Sequence, residues 1–131
     1  MRGQALIFEA AILLVLAVVT FILAQHLFKV QYLAEDYALR LNAQRILINW
    51  TDTGIIYAIA YGYGGSGDPQ LARAAVETLL PPNFGYNLTV TDVYGNVVFT
   101  VANNFDPARA SGASVVLLRR EPRIVTLRLS R

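Results

Sequence analysis

The chain of 131 residues contains no cysteine. That excludes disulfide bonds and thiolate metal sites. Its one histidine, His26, directly follows an apolar run, which speaks against a histidine-based catalytic or metal centre. Charge is scarce too. Asp, Glu, Lys and Arg make up 15% of the residues, Lys29 is the single lysine beside ten arginines, and the net charge is +2. So mild a balance does not point to nucleic acid. No phosphate-binding loop is present, because the Gly62–Gly67 tract lacks the Lys-Ser/Thr ending. Glu35 and Asp36 are adjacent on a helix pattern, so they point to different faces and do not form a catalytic carboxylate pair. With no nucleophile–base set, the sequence reads as a non-enzyme, and no cofactor is expected.

What the chain does have is apolar surface. Hydrophobic residues are 55% of the total, against about 45–50% in an ordinary soluble domain. The excess sits at the N-terminus. Ala10 to Ala24 carries no charge, and Thr20 is its only hydroxyl. Leu, Ala, Ile and Val surround this segment on every side, so it belongs in lipid or in a fully buried position. A helix from Ala5 to Phe28 spans roughly 36 Å, enough to cross a ~30 Å hydrocarbon layer. It contains one carboxylate, Glu9, which costs about 2.5–3.5 kcal/mol if held deep in a membrane without a partner. An ordinary secretory cleavage site does not follow, because Ile22 is bulky where a small residue is needed for a cut after Ala24.

Beyond the apolar run, Lys29 to Trp50 contains neither Gly nor Pro. Val30, Leu33, Tyr37, Leu41 and Ile48 fall on helical spacing, which predicts an amphipathic continuation to about Ile48 with that stripe packed on a domain. Asn49-Trp50-Thr51-Asp52-Thr53-Gly54 is expected to break the helix, with Thr53 capping a short second segment, Gly54 to Tyr61. Gly62 to Gly67 reads as a flexible loop. Asp68 then caps a helix from Pro69 to Leu80, which Pro81-Pro82 ends.

The period changes to two after that. Tyr86, Leu88 and Val90 alternate with Asn87, Thr89 and Thr91; Asp92 to Asn96 forms a turn; Val97 to Val101 returns as the second arm of a hairpin. A loop is expected from Ala102 to Gly112. Two further strands, Ala113 to Leu118 and Ile124 to Leu129, flank Arg120-Glu121-Pro122-Arg123. Helices followed by about four antiparallel strands predict an α+β fold: a long hydrophobic, then amphipathic helix packed on a small C-terminal sheet.

Several residues invite functional readings. Asn49-Trp50-Thr51 and Asn87-Leu88-Thr89 match the N-glycosylation pattern. A glycan on Asn87 would point outward from the polar face of its strand. Tyr57, Tyr61 and Tyr63, among glycines, suit either an adhesive tip or the filling of a helix–sheet junction. Arg119, Arg120, Arg123, Arg128 and Arg131 read as a solvated strand face.

The start Arg2-Gly3-Gln4-Ala5, then Glu9-Ala10 and a leucine-rich run, resembles the class III signal peptide of archaeal type IV prepilins. The layout of long helix and β-rich head is similar along the whole chain, while the specific motif is confined to Gly3, Gln4 and Glu9. The resemblance implies a leader of residues 1–3, a membrane and filament-core helix at 4–28, and an exported head at 29–131. It implies a cut between Gly3 and Gln4 by a prepilin peptidase, with Glu9 as the sixth residue of the product, where many members have their acid fifth. Glu9 would then pair with the new amine of a neighbouring copy during assembly. The implied partners are other copies of the chain, the peptidase and assembly machinery, and the membrane before assembly. The implied location is a cell-surface filament. The competing expectation is a monomeric, signal-anchored surface protein with an exported interaction or adhesion domain.

Overall fold

The computed structural model describes residues 2–131, and within its first helix the side chains of Arg2, Phe28, Val30, Gln31 and Tyr32 are outside that description. Met1 and the side chain of the expected stripe position Val30 therefore lie outside that description. In chain order the elements are α1 (Arg2–Thr53), α2 (Ile55–Tyr61), α3 (Pro69–Leu79), β1 (Gly85–Asp92), β2 (Val97–Asn103), a 3-10 turn (Pro107–Arg109), β3 (Ala110–Leu117) and β4 (Arg123–Ser130). The chain divides into two compact units, Met1–Glu35 and Asp36–Arg131. The expected α+β class holds.

The first unit is helical, and every side chain from Gly3 to Leu27 is exposed. The second unit is a head with its own core. Its four strands form one antiparallel sheet in the order β2-β1-β4-β3. Register puts Val101, Leu88, Leu127 and Ala113 in one row, and Phe99, Val90, Val125 and Val115 in the next. Alternation turns these side chains to a single face, where Leu88, Val90, Val125 and Leu127 are fully buried. The opposite face carries a row of hydroxyls, Thr100, Thr89, Thr126 and Ser114. Helices cover the apolar face: Leu39, Ala43, Ile46, Leu47 and Trp50 of α1, Ile56, Ile59 and Ala60 of α2, and Ala72 and Val76 of α3 join the sheet residues in one core.

That core corrects the expected stripe. Leu33, Tyr37 and Ile48 are 65%, 66% and 59% exposed, and Leu41 is only half-buried. The covered stripe is Leu39, Ala43, Ile46, Leu47 and Trp50. Tyr37, Leu41 and Ile48 each lie two residues from a member of it, which is about 200° round the helix. Residues 37–50 thus carry two apolar faces, and the sheet takes the one containing the small Ala43 and the large Trp50.

The helix end also differs from expectation. α1 continues through Asn49-Trp50-Thr51-Asp52 and stops at Gly54, whose φ of 78° is left-handed. Nothing in Asn49–Thr53 forbids helix, and Trp50 gains burial by staying in it. Thr53 does not cap α2. Its hydroxyl donates back to Asn49 O at 2.9 Å, as Thr51 does to Leu47 O at 2.8 Å. Asp68 does cap α3, accepting from Leu71 N–H at 3.1 Å, and Pro69 opens that helix. The hairpin turn is where expected, with Gly95 at φ 85°. The strands run further than expected: β2 reaches Asn103, and β3 begins at Ala110 inside the expected loop. Backbone pairing of Ala110, Ser111 and Gly112 with Ser130, Leu129 and Arg128 extends the ladder there.

Candidate functional site

In the first unit, Gly3–Leu27 is a stretch of 25 helical residues with mean hydropathy 2.9, long and apolar enough to cross a membrane. A helix of such composition can also be a signal sequence. Its one hydroxyl is satisfied internally, since Thr20 Oγ1 donates to Leu16 O at 2.8 Å. Gly3 and Gln4, the expected cleavage pair, lie exposed in the first turns of α1, and Glu9 is exposed on the same helix.

In the head, the two glycosylation candidates stand in different settings. Asn49 is exposed in the last turns of α1 and lines an open groove of about 300 Å³. Asn42 and Arg45 flank it there, facing Leu80, Phe84 and Leu129. Residues i and i+2 do not share a face of a helix, and the Thr51 hydroxyl is turned to Leu47 O. Asn87 lies half-buried on β1. Residues i and i+2 of a strand do share a face, and the Thr89 hydroxyl donates to Asn87 Oδ1 at 3.0 Å.

The tyrosine group separates. Tyr57 and Tyr61 are partly buried against the core, while Tyr63 is fully exposed. The glycine tract between residues 62 and 67 is a closed loop. Gly67 N–H donates to Tyr61 O and Asp68 N–H to Ile59 O, each at 3.0 Å. Gly62 has φ 60°, and a Cβ there would come within 2.7 Å of Gly67 O. Gly67 has φ 81°, and a Cβ there would strike the Phe99 ring. Both positions therefore need glycine.

Arg123 is the residue that sequence reading placed on the wrong side. It is 7% exposed, and its guanidinium donates to Ala60 O and Gly65 O. It also lies 4.8 Å from the centre of the Tyr61 ring. The signal was available: position 123 has the parity of the inward-facing Val125, Leu127 and Leu129. The other arginines are not a plain solvated face either. Arg119 lies over Tyr57 at 4.1 Å and Arg128 over Phe105 at 5.1 Å.

Two titrating groups have clear environments. Burial, followed by the charge and hydrogen bond of Glu77, pushes the Tyr86 hydroxyl above its ordinary value. The Asp92 carboxyl is held below the usual aspartate value, first by the backbone N–H of Asn96, and further by the Asn96 side chain and the Tyr94 N–H. Among the described residues no group of three His, Asp or Glu side chains is placed to hold a metal ion. No family model, no curated protein and no solved structure matches the chain.

Proposed function

We propose that this chain is a structural subunit, major or minor, of an archaeal type IV pilus-like surface filament. The observation that supports it best is a division of labour. The head has a complete core of its own, drawn from Leu39 onward, and the apolar Gly3–Leu27 helix belongs to a separate unit. An apolar helix of that length calls for a cover of its own. In this reading lipid covers it first, and the helices of other copies cover it after assembly. The head lies outside the cytoplasm, and Arg2 stays on the cytoplasmic side by the positive-inside rule.

A prepilin peptidase cuts between Gly3 and Gln4, and Glu9 then neutralises the new amine of an adjoining copy. A carboxylate in an apolar bundle needs such a partner, since breaking a buried pair costs about 3–5 kcal/mol. Assembly machinery is the further partner. The sequons at Asn49 and Asn87 are consistent with a surface glycoprotein.

The mass of the native protein's N-terminal peptide tests this reading. Gln4 as the first residue supports it, and an intact Met1 defeats it in favour of a monomeric anchored protein. Glu9→Ala should insert normally into membranes yet assemble poorly. Filaments of normal abundance from that variant would remove Glu9 from the mechanism.

A further inference from the structure

Three loops of the head meet at one end of the sheet. Register pairs Arg123 with both Asp92 and Leu117, so the β1–β2 and β3–β4 turns leave the sheet side by side. The 62–67 loop joins them, because Arg123 donates to Gly65 O and the Tyr61 hydroxyl donates to Glu121 O at 2.7 Å. Each loop ends in a large side chain that the fold leaves uncovered. Tyr63 is fully exposed, Tyr94 88% and Leu118 85%, more than any large hydrophobic side chain described in the apolar helix.

These tips stand on held backbone. Asp92 Oδ1 accepts from the N–H groups of Tyr94 and Asn96, each at 2.9 Å, which fixes the β1–β2 turn. The 62–67 loop is closed by its own hydrogen bonds and by the Arg123 clamp. Exposure of the three tips is therefore a property of the folded head. Beside them, Arg119 and Arg120 are exposed. Two acids lie nearby: Asp92, ionised and held by the N–H groups of its turn, and Glu121, 3.7 Å from Arg123. With Arg119, Arg120 and Arg123 against Asp92 and Glu121, the loop end keeps one net positive charge among its apolar tips.

We propose that this three-loop end docks on an anionic lipid surface. Tyrosine rings favour the headgroup level of a bilayer, where one edge is wet and the other is not. Leu118 is placed to reach below that level, and the adjacent guanidinium groups match anionic headgroups. The tips sit on three different loops, and the 300 Å³ groove of the head lies away from them, toward the start of β1 and the end of β4. A protein partner would need a complementary pocket for each tip, whereas a fluid interface takes separate tips without one. A membrane is also at hand for a chain carrying a helix able to cross one. The proposal is independent of polymerisation.

The test uses the full chain held in phosphatidylcholine nanodiscs. Co-sedimentation is measured with vesicles of phosphatidylcholine alone or of phosphatidylcholine with phosphatidylserine. The protein should sediment with the phosphatidylserine vesicles at low salt, and less as salt rises. Arg120→Gln should weaken that binding about fivefold, from one basic side chain near the surface. Leu118→Ser should weaken it about tenfold through lost apolar insertion. Arg45→Gln, on the groove at the other end, should leave it unchanged. Circular dichroism confirms that each variant keeps its fold. Sedimentation no greater than that of empty nanodiscs overturns the proposal. So does binding that survives both loop variants, because it would then run through another surface.

Discussion

Replacing Arg123 by methionine sets two large effects against each other. The guanidinium is almost fully buried, and burying a charge is costly, so an apolar side chain of similar length can be neutral or better. Against that, Arg123 supplies donors to Ala60 O and Gly65 O. Ala60 is fully buried, so its carbonyl has no access to water once the donor is gone, whereas Gly65 is exposed and water can replace the lost bond. An acceptor left bare costs about 1–3 kcal/mol, and a bond to a charged group contributes about 1.5–3. We expect Arg123→Met to lose a net ~2 kcal/mol. In a domain of this size that lowers Tm by about 8–16 °C.

The measurement is thermal unfolding of the full chain in detergent micelles, followed by near-ultraviolet circular dichroism. Hydrogen exchange should quicken at the Gly67 amide, which closes the 62–67 loop. Glu121→Gln is the control. Its carboxylate is 80% exposed and 3.7 Å from Arg123, so its loss should stay within about 0.5 kcal/mol. An unchanged or higher Tm for Arg123→Met would refute the reasoning, because desolvation would then outweigh both hydrogen bonds.

Other outcomes follow from the same geometry. Trp50→Ala empties the largest fully buried position and should cost about 3–5 kcal/mol, read as a lower denaturant midpoint; a shift under 1 kcal/mol (about a third of the least expected) would mean the helix is not a main support of the core. Gly67→Ala puts a side chain at a left-handed φ and against Phe99, so it should destabilise by more than the ~1–2 kcal/mol of the backbone alone. Gly64→Ala, in open space, should stay within about 0.5 kcal/mol, and equal effects of the two would contradict the closed loop. Asp92 has a lowered folded-state value, so its stabilising effect is present above the unfolded aspartate value and is lost as pH falls through the folded one. The amide shifts of Tyr94 and Asn96 should report that acid step, and Asp92→Asn should abolish it; an identical profile in the variant would show that another group titrates.

The elements that could be read from sequence are those with strong local chemistry. Asp68-Pro69 starts a helix because a side-chain acceptor and a missing N–H suit a helix N-terminus. Asp92 and Gly95 make a turn for equally local reasons. Tyr86, Leu88 and Val90 reveal an inward face by alternation. What failed needed a tertiary partner to decide it. Residues 37–50 have apolar side chains on two opposite faces, and periodicity alone does not say which one meets the sheet. Trp50 lies in a stretch rich in Asn, Asp and Thr that reads as a break, yet its burial holds the helix through it. Arg123 reads as solvent-facing by residue type, although its parity with Val125 and Leu127 places it inside. Tyr63, Tyr94 and Leu118 come together only because the strand order brings their loops to one end.

The order β2-β1-β4-β3 has a consequence for how the head matures. Each outer strand is hairpin partner to an inner one, so β1–β2 and β3–β4 need only nearby residues to form. The seam between β1 and β4 is the one long-range pairing, and it joins Leu88 to Leu127 and Val90 to Val125. Until β4 is delivered, the first hairpin leaves one edge of β1 unpaired. Closing such a distant pairing is slow compared with hairpin formation. A head emerging N-terminus first has its covering helices before its sheet, so what waits open is the pairing edge of β1, and that interval is when an escort protein, or a wrong strand from a neighbouring chain, would find it.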